Sequence, residues 1–365
     1  MNKTNKKRFK IAVAMSGGLD SSVAAAILKK QGYDVIGVFM KLSSQKSFYE
    51  SEARARKVAK ILNIPFYVFD FEKEFKKKII KSFLKEYKMG TTPNPCVLCN
   101  KEMKFGLLLE KILSLNIDFI ATGHYARLRR EIVNSKSEIK KYKYQLLKAK
   151  DKYKDQSYFL WRLSQKQLKR ILFPIGNYTR REVENLAKKF KFDFLLKIKK
   201  STEICFVLAT TNDFLKNHLK ENPGKIVDTK EKILGEHQGL WFYTIGQRKG
   251  IRLASGPYYV LDKDIKNNLL IVTKNEKDLY KKELIVKDVN WTLGRKPKMP
   301  IQVMAKIRYR HKSSPATICH FKSNKYYLKF DLPQRAPAPG QSAVFYSCNN
   351  NLKESDELIG GGIIC

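Results

Sequence analysis

One short segment near the N-terminus constrains the fold of this chain more than any other: Ala14-Met15-Ser16-Gly17-Gly18-Leu19-Asp20-Ser21-Ser22. The apolar run before it, Phe9–Met15, predicts a buried strand, and Ser21–Gln31 predicts a helix. Adjacent glycines let the backbone turn tightly and present its N–H groups to phosphate oxygens, while the serines and the helix N-terminus add further donors. The segment therefore predicts a nucleotide-phosphate loop, with an ordinary strand–turn–helix corner as the alternative. No lysine follows the glycines, which excludes the GxxxxGK[ST] loop.

Strands and helices alternate through the first part of the chain. In the predicted helix 52–62, Arg54 is expected on the side opposite the apolar and small residues, and the charged stretch 127–154 predicts a solvated hairpin or loop. Such alternation predicts an α/β fold, a doubly wound parallel sheet whose ligands lie beyond the C-terminal strand ends. Further predicted strands are Tyr33–Met40, Pro65–Phe71 and Phe119–Thr122, and further predicted helices are Glu52–Leu62, about Phe75–Lys88 and Phe105–Leu115.

The pattern changes at about Thr211 to short β-rich runs separated by Gly and Pro. These runs favour small all-β modules. We therefore expect a catalytic α/β domain over residues 1–210, a small β-rich domain over residues 211–285 and a C-terminal β-barrel over residues 286–365. The β-rich runs are Trp241–Ile245, Tyr258–Leu261, Leu269–Val272, Ile301–Tyr309, Lys325–Phe330 and Ser342–Tyr346.

The charge balance indicates a polyanionic partner. Lys and Arg number 73 against 34 Asp and Glu, which gives a formal net charge of +39, and such a surface attracts nucleic acid. A bias toward Lys from an AT-rich genome is an alternative source of part of this excess. The six scattered cysteines fit a reducing compartment. No stretch resembles a signal peptide or reaches the ~20 apolar residues of a membrane span. We expect a cytoplasmic protein that does not enter a membrane.

Two cysteines stand close together in the segment Thr92-Pro93-Asn94-Pro95-Cys96-Val97-Leu98-Cys99. Its prolines predict a stiff, extended loop that presents both thiols at a fixed place. A lone C-x-x-C is compatible with half of a zinc site, a redox pair or two structural thiols, and no second close pair of Cys or His completes a zinc site. A further thiol lies in Ile204-Cys205-Phe206. The remaining cysteines, Cys319, Cys348 and Cys365, lie in no motif and are expected to be buried or incidental thiols.

The two-glycine segment resembles the SGGxDS loop of ATP pyrophosphatases, which split ATP into AMP and pyrophosphate. Together with further segments, in order along nearly the whole chain, it resembles the tRNA-specific 2-thiouridylases of the MnmA type. The combination of N-P-C-x-x-C, I-C-F and I-G-Q-R-K-G is much more specific than the loop alone. The matching segments are Ser16–Ser22, Phe39–Lys41, Thr92–Phe105, Ala121–Ala126, Asp155–Tyr158, Ile204–Phe206, Tyr243–Gly250, Lys306–Tyr309 and Pro339–Ser342.

The resemblance implies ATP-dependent 2-thiolation of the wobble uridine of tRNA (Lys, Glu and Gln types), through adenylation of O2 of the flipped base. Cys205 would carry a persulfide, and Cys99 would release the sulfur through a Cys99–Cys205 disulfide; we expect a basic, partly exposed site to lower the pKa of both thiols. The implied residues for ATP, which would bind with Mg²⁺, are Ala14, Met15, Ser16, Gly17, Gly18, Leu19, Asp20, Ser21, Met40 and Gly123. The implied tRNA contacts are Asn94, Pro95, Cys96, His124, Lys154, Asp155, Gln156, Arg308, Tyr309 and Gln341.

The chain departs from the family pattern at Cys96, where Asp is commoner. Cys96, Cys99 and Cys205 could therefore hold an iron–sulfur cluster, a hypothesis that competes with the persulfide–disulfide route. The implied partners are tRNA and either a persulfide-carrying sulfur-relay protein or a cysteine desulfurase. Alternative functions are a 2-thiocytidine or lysidine synthase, a ligase of the GMP synthetase kind and a non-catalytic RNA-binding protein. Purely structural roles are the alternative for several of these residues. His124 could be a core histidine at a strand end, Asp155 and Gln156 could form a turn, and Arg308 could lie on the solvated face of a strand.

Overall fold

A computed structural model describes residues 9–133, 141–198, 204–349 and 353–365. Parallel pairing in its N-terminal part gives one sheet, which confirms the predicted parallel α/β class. The strands of this part are β1 (Lys10–Ala14), β2 (Asp34–Lys41), β3 (Phe66–Asp70), β4 (Phe119–Thr122), β5 (Arg127–Val133), β6 (Lys141–Leu147) and β7 (Ile171–Leu172). The order in the sheet is β3-β2-β1-β4-β7, so β1 lies between β2 and β4.

Helices connect these strands. The second of them begins at Lys46 and not at Glu52 as predicted. Among the described residues, no helix is long and apolar enough to cross a membrane. In chain order the helices are α1 (Leu19–Lys30), α2 (Lys46–Leu62), α3 (Glu72–Phe75, continued by a π-helical stretch Lys76–Ile80 and by Lys81–Lys88), α4 (Pro95–Cys99, continued by a π-helical stretch Asn100–Leu107 and by Leu108–Ser114), α5 (Gln165–Leu168), α6 (Arg180–Lys189) and α7 (Asp193–Leu196).

The start of α4 differs most from the prediction. The helix begins at Pro95, whereas the sequence predicted a start at Phe105 and an extended loop around Cys96 and Cys99. Proline is favoured in the first helical turn, because the N–H it lacks would have no partner there and its φ already suits a helix. Pro95 thus starts the helix, and both thiols lie in its first turn.

Helices cover both faces of the parallel sheet. Successive residues of a strand point to opposite faces, and β1 shows this directly. Ile11 and Val13 pack in one core cluster with residues of α1, α2 and α6. Ala12 packs in another cluster with Leu108 and Ile112 of α4. The predicted doubly wound arrangement is therefore confirmed.

A small β-rich unit follows. It contains α8 (Thr211–Lys216) and the strands β8 (Gly224–Val227), β9 (Ile233–His237), β10 (Tyr259–Asp264) and β11 (Leu269–Thr273), in the order β10-β11-β8-β9. Val260 and Leu270 share a core cluster with Phe83 of α3, so this sheet packs on the first domain. The strand predicted at Trp241–Ile245 is wrong. A buried 3₁₀ turn, Leu240–Phe242, stands there, because a short apolar run fits a buried turn as well as a strand.

The last unit is a closed β-barrel, as expected. In chain order its strands are β12 (Tyr280–Trp291), β13 (Ile301–Lys306), β14 (Ser314–Lys322), β15 (Lys325–Arg335), β16 (Ser342–Cys348) and β17 (Glu354–Ile364). They follow the order β12-β15-β14-β13-β16-β17 in the sheet, and pairing between β12 and β17 closes the barrel. Buried side chains such as Val303, Phe330 and Phe345 fill the interior.

The hairpin β5–β6 joins the first domain to the barrel. Leu146 and Leu147 of β6 pair with Leu358 and Glu357 of β17, and both leucines are buried. The stretch 127–154 therefore contains the predicted hairpin, but the base of this hairpin belongs to the barrel sheet and is not solvated. Residues 134–140 of this stretch lie outside the described residues.

A buried polar seam fixes the barrel against the first domain. The Tyr158 hydroxyl donates a hydrogen bond to the Ser342 carbonyl of β16 (2.9 Å), and the Trp161 indole N–H donates to the Ser342 hydroxyl (3.0 Å). Tyr158 and Trp161 are fully buried. A Cβ at Gly361 of β17 would lie 2.8 Å from the Trp161 ring. Close packing and directed hydrogen bonds therefore set the position of the barrel.

We expect Tyr158→Phe to lower the free energy of unfolding by about 1–3 kcal/mol, because it removes the donor from a buried carbonyl. Urea denaturation followed by tryptophan fluorescence measures the change. The control is Tyr153→Phe, whose side chain is 99% exposed and which should change the free energy by less than about 0.5 kcal/mol. Equal effects of the two substitutions would contradict the proposed importance of the seam.

Candidate active site

Close contacts hold the loop between β1 and α1 in one conformation. Gly17 has φ +73°, and a Cβ there would lie 2.1 Å from the Ser51 carbonyl oxygen of α2, so only glycine fits. The Ser16 amide donates a hydrogen bond to the Ser21 hydroxyl (3.1 Å), which donates to the Gly18 carbonyl (3.2 Å). The loop is thus preformed at the C-terminal end of β1.

Gly123 brings the end of β4 against the same loop. A Cβ at Gly123 would lie 2.5 Å from the Ser21 amide nitrogen, so the two backbones are in contact. Met40 lies near the end of β2, on the other side of β1. The expected nucleotide residues therefore gather at one edge of the sheet. Met15 and Leu19 are buried in the core, which leaves mainly their backbone atoms for a ligand.

Asp20, at the start of α1, belongs to a charged network that the sequence did not reveal. Its Oδ1 accepts hydrogen bonds from the Tyr125 hydroxyl (2.9 Å) and from the Arg180 guanidinium (2.7 Å). Burial raises the pKa of the Asp20 carboxyl, while the positive charge of Arg180 opposes this shift. Sequence analysis missed Tyr125 and Arg180, because only the packing of β4 and α6 beside the loop brings them to Asp20.

Arg54 of α2 points to the loop, which contradicts the expected orientation. Its Nε donates a hydrogen bond to the Gly17 carbonyl (3.1 Å), and its Nη2 donates to the Ser51 hydroxyl (2.8 Å). The prediction was wrong because the first turns of α2 pack against the loop, which no helical periodicity encodes. The guanidinium adds a positive charge and further donors where phosphates are expected to bind.

Cys205 is held near the first turn of α4 by its neighbour Phe206. The buried Phe206 ring packs edge-on against Phe83 of α3, with 5.3 Å between ring centroids. Cys205 itself is an exposed residue, whereas Cys96 and Cys99 are half-buried. The I-C-F element is therefore an apolar anchor that carries a thiol, and the structure brings all three expected thiols into one neighbourhood.

The three thiols interact electrostatically, and burial dominates their acidity. Burial, together with the neighbouring Cys205, raises the pKa of Cys96 to about 11 and the pKa of Cys99 to about 12. Burial also raises the pKa of Cys205. The expectation of lowered pKa values is therefore wrong. A thiolate loses its hydration in this packed region, and the net positive charge of the chain does not compensate.

Lys104 provides a positive charge that acts on all three thiols. Its Nζ donates a hydrogen bond to the Asn100 side-chain oxygen (3.0 Å), and the Asn100 amide donates to the Phe159 carbonyl (3.2 Å). The charge of Lys104 lowers the pKa of Cys96, Cys99 and Cys205 against the effect of burial. Lys104 and Asn100 both lie in the π-helical stretch after Cys99, and such stretches are frequent at functional sites. Sequence analysis did not single out Lys104.

Metal binding by the thiols lacks geometric support. Within the described ranges, no three or more Cys, His, Asp or Glu side chains come together in a way that could hold a metal ion. This applies to the iron–sulfur hypothesis for Cys96, Cys99 and Cys205. All six cysteines are free thiols. Of the three without a motif, Cys319 and Cys365 are exposed and Cys348 is half-buried.

His124 directly follows Gly123 in the chain. Its Nδ1 forms a hydrogen bond with the Thr122 hydroxyl (2.7 Å), and its ring packs between Phe105 and Phe173. Burial and the charge of Lys104 hold the pKa of His124 well below its usual value. The imidazole is therefore neutral at neutral pH. The hydrogen bond to Thr122 fits the alternative in which His124 is a structural histidine at a strand end.

The expected tRNA contacts at 155–156 have structural partners. Asp155 is buried, and its carboxylate accepts hydrogen bonds from the Ala149 amide (3.0 Å) and from the Ser157 amide and hydroxyl (3.2 and 2.9 Å). Gln156 exchanges two hydrogen bonds with the backbone of Tyr125 (2.8 and 3.0 Å). These bonds favour the alternative of a turn for both residues. Lys154 is half-buried, and its charge acts on the Asp20 carboxylate.

The barrel supplies the other expected contacts. The Gln341 amide donates a hydrogen bond to the Thr92 carbonyl (2.8 Å), so it fastens the segment that leads to α4. Tyr309 packs on Phe159, with 4.5 Å between ring centroids. Arg308 donates to the Ala336 carbonyl. These residues border the site and already have protein partners, as does Asn94, whose side chain hydrogen-bonds the Tyr158 hydroxyl next to Pro95.

Comparisons with known proteins cover almost the whole chain. Residues 9–209, 212–274 and 281–364 match three family models, described as tRNA methyl transferase HUP domain, tRNA methyl transferase PRC-barrel domain and Aminomethyltransferase beta-barrel domain. A tRNA-specific 2-thiouridylase MnmA 2 from Thermoanaerobacter sp. (strain X514) is 45% identical over 97% of this chain and 97% of its own. The tRNA-specific 2-thiouridylase MnmA of Clostridioides difficile (strain 630) is 43% identical over 97% of this chain and 98% of its own. That of Buchnera aphidicola is 42% identical over 98% of this chain and 97% of its own.

We expect Lys104→Gln to slow alkylation of Cys99 and Cys205 between about threefold and tenfold at fixed pH. Loss of the ammonium raises the pKa of both thiols, and one pKa unit changes the reactive thiolate fraction about tenfold. Peptide mass spectrometry after timed iodoacetamide treatment measures each thiol separately. Lys101→Gln, at an exposed lysine of the same helix, is the control and should leave the rates unchanged. Unchanged rates in Lys104→Gln would refute the assigned role.

Proposed function

The chain belongs to the family of tRNA-specific 2-thiouridylases, and from this premise we propose that it forms 2-thiouridine in tRNA with the use of ATP. It is a tRNA sulfurtransferase, since relatives with 40–45% identity over nearly the full chain carry that activity in their names. We assign the reaction to the wobble uridine, as the family resemblance implies.

One observation carries this proposal: two consecutive residues connect the loop to the thiols. Gly123 contacts the Ser21 amide in the loop. His124, the next residue, lies within the electrostatic reach of Lys104, whose charge also acts on Cys99 and Cys205. A base bound beside His124 would therefore have ATP on one side and the sulfur-carrying thiols on the other.

The loop is well suited to the triphosphate of ATP. It offers backbone N–H groups at a strand end and at the start of α1, together with the hydroxyls of Ser16 and Ser21. Arg54 and Arg180 add positive charge beside it. Mg²⁺ is a usual companion of ATP, and Asp20 is the carboxylate of the loop that could help to hold it; the ion would neutralise phosphate charge there. We place adenine and ribose toward Met40 and Gly123.

The proposed reaction passes through an adenylated uridine and ends with a disulfide between Cys99 and Cys205. The O2 oxygen of uridine attacks the α-phosphorus of ATP, and pyrophosphate leaves with the electron pair of the broken bond. The outer persulfide sulfur on Cys205 bonds to C2, and AMP leaves with the former O2 oxygen. The Cys99 thiolate attacks Sγ of Cys205, so the persulfide bond breaks and its electron pair stays on the sulfur now bound to C2. The Cys99–Cys205 disulfide that results is reduced by an external thiol before the next turnover.

The raised pKa values fit a protected resting state. Cys96 and Cys99 stay protonated at neutral pH when burial raises their pKa to about 11 and about 12, and a protonated thiol is a poor nucleophile. Lys104 would stabilise the Cys99 thiolate when it forms. Cys205 is the exposed member of the three, as an acceptor of sulfur from a persulfide-carrying relay protein or a cysteine desulfurase requires. The proposed reaction does not involve an iron–sulfur cluster, because the three thiols, like all other described residues, are not arranged as a metal site.

The RNA side of the proposal rests on charge and on access. A flipped base is the usual way for an enzyme to reach an atom inside an RNA, and a loop with unstacked bases makes flipping easy. Asn94, Pro95 and Cys96 would face the base across from His124. Lys154 would approach it from the turn near Asp20, with Asp155 and Gln156 holding that turn. Arg308, Tyr309 and Gln341 would border the RNA on the barrel side.

Thiolation in vitro tests the reaction and the two thiols. We expect unmodified tRNA, ATP with Mg²⁺ and a persulfide source to yield 2-thiouridine by mass spectrometry. Cys99→Ala and Cys205→Ala should each reduce the yield at least about a hundredfold, because the first removes the nucleophile that attacks the persulfide and the second removes the persulfide carrier. The control is Cys319→Ala, at an exposed cysteine of the barrel, with unchanged yield. Full activity of Cys205→Ala would refute the persulfide assignment.

The net charge of +39 generates a prediction for tRNA binding. Each neutralised phosphate contributes a slope of roughly −0.7 to −0.9 to log affinity against log salt. We expect affinity for unmodified tRNA to fall at least about a hundredfold when salt rises from about 50 to about 200 mM. Filter binding over this range measures the slope, with an equally long single-stranded RNA as the control for nonspecific binding. Salt-insensitive affinity would contradict a phosphate-contacting surface.

A further inference from the structure

Arg180 makes contacts in two directions. Its guanidinium Nη1 donates a hydrogen bond to Asp20 in the loop (2.7 Å), and its Nε donates to Glu184 (2.7 Å). Its backbone N–H, at the start of α6, donates to Oδ2 of Asp151 (2.8 Å). Only 18% of its side chain is exposed, so the guanidinium is held in place. One residue therefore joins the start of α1 to the segment around Asp151.

Asp151 in turn organises the segment of residues 151–156, which we call the 151–156 turn. Its Oδ1 accepts hydrogen bonds from the amides of Tyr153 (3.0 Å) and Lys154 (3.2 Å). Lys150, just before the turn, forms an ion pair with Glu182 of α6 (2.8 Å). The position of the turn, and with it the position of Lys154, thus depends on the N-terminal end of α6.

A second connection runs in parallel through Tyr125. Its hydroxyl binds Asp20 (2.9 Å), and its backbone exchanges two hydrogen bonds with Gln156 (2.8 and 3.0 Å). Asp20 is therefore tied to both ends of the 151–156 turn, through Arg180 at Asp151 and through Tyr125 at Gln156. Each connection from Asp20 to the turn therefore passes through a single residue, either Arg180 or Tyr125.

We propose that Arg180 is a positioning residue that couples the ATP loop to the 151–156 turn, so that ATP and tRNA each strengthen the binding of the other. The inference rests on the proposed function, in which ATP binds the loop and the turn borders the target base. ATP fixes Asp20, Asp20 fixes Arg180, and Arg180 holds Asp151 and the turn in the geometry that the base requires. Coupling between two binding sites is reciprocal by linkage, so tRNA must raise the affinity for ATP by the same factor.

The test compares the affinity for a nonhydrolysable ATP analogue, modified between the α- and β-phosphates, with and without saturating unmodified tRNA. We expect tRNA to tighten binding of the analogue to the full-length wild-type chain by about tenfold, a usual size for such coupling. In Arg180→Gln this ratio should fall to about threefold or less, because only the connection through Tyr125 remains, while the affinity for tRNA alone changes little. Arg181→Gln, at the exposed neighbouring arginine of the same helix, is the matched control and should keep the wild-type ratio.

A second variant and a second readout separate coupling from a loss of folding. Asp151→Ala leaves the loop and the Asp20–Arg180 pair intact but removes the acceptor of the Arg180, Tyr153 and Lys154 amides, and it should also lower the ratio. Hydrogen exchange of a peptide covering residues 151–156 should slow when the analogue binds to the wild type, and should slow less in either variant.

A wild-type ratio near one, or a ratio retained in both variants, would overturn the coupling and leave the proposed function intact. Failure of the wild type to bind the analogue at all would refute ATP binding by the loop, and the coupling with it.

Discussion

The arrangement depends on a backbone contact between two neighbouring parallel strands. β1 ends in the two-glycine loop and β4 ends at Gly123, where a Cβ would approach the Ser21 amide nitrogen to 2.5 Å. Parallel strands bring their carboxyl ends to one edge of a sheet, and a glycine there lets the second strand touch the loop of the first. His124 follows directly and lies among Phe105, Phe173 and the charge of Lys104. The two-glycine loop and the thiols are therefore connected through two consecutive residues, Gly123 and His124.

The barrel contributes to this site through its fixed position. The seam at Ser342 binds Tyr158 and Trp161 in the interior, and Gln341, the preceding residue, fastens Thr92 before α4. Displacement of the barrel would therefore also displace the first turn of α4, which carries Cys96 and Cys99. The hairpin β5–β6 also fixes the barrel to the first domain, because it follows β4 in the chain and pairs with β17 of the barrel.

Local chemistry made much of the fold predictable. A glycine pair after an apolar run fixed β1 and α1, and Phe119–Thr122 is a strand with the predicted bounds. What could not be predicted arises from contacts between distant segments. Arg54 turns toward the loop because α2 packs on Gly17, and Arg180 reaches Asp20 only after α6 has docked beside α1. The direction of the thiol pKa shifts was wrong for the same reason: net charge is a property of the sequence, whereas burial is a property of the packed structure.

The central claim is that ATP activates the uridine oxygen at the same site where sulfur replaces it. The most direct measurement uses tRNA whose target uridine carries a heavy oxygen isotope at O2. After one turnover with ATP and a persulfide source, mass spectrometry of the AMP locates the label. The account predicts that the label is found in AMP, because O2 bonds to the α-phosphorus and leaves with it. Unlabelled AMP together with labelled water, or label retained in the product nucleoside, would contradict adenylation of O2.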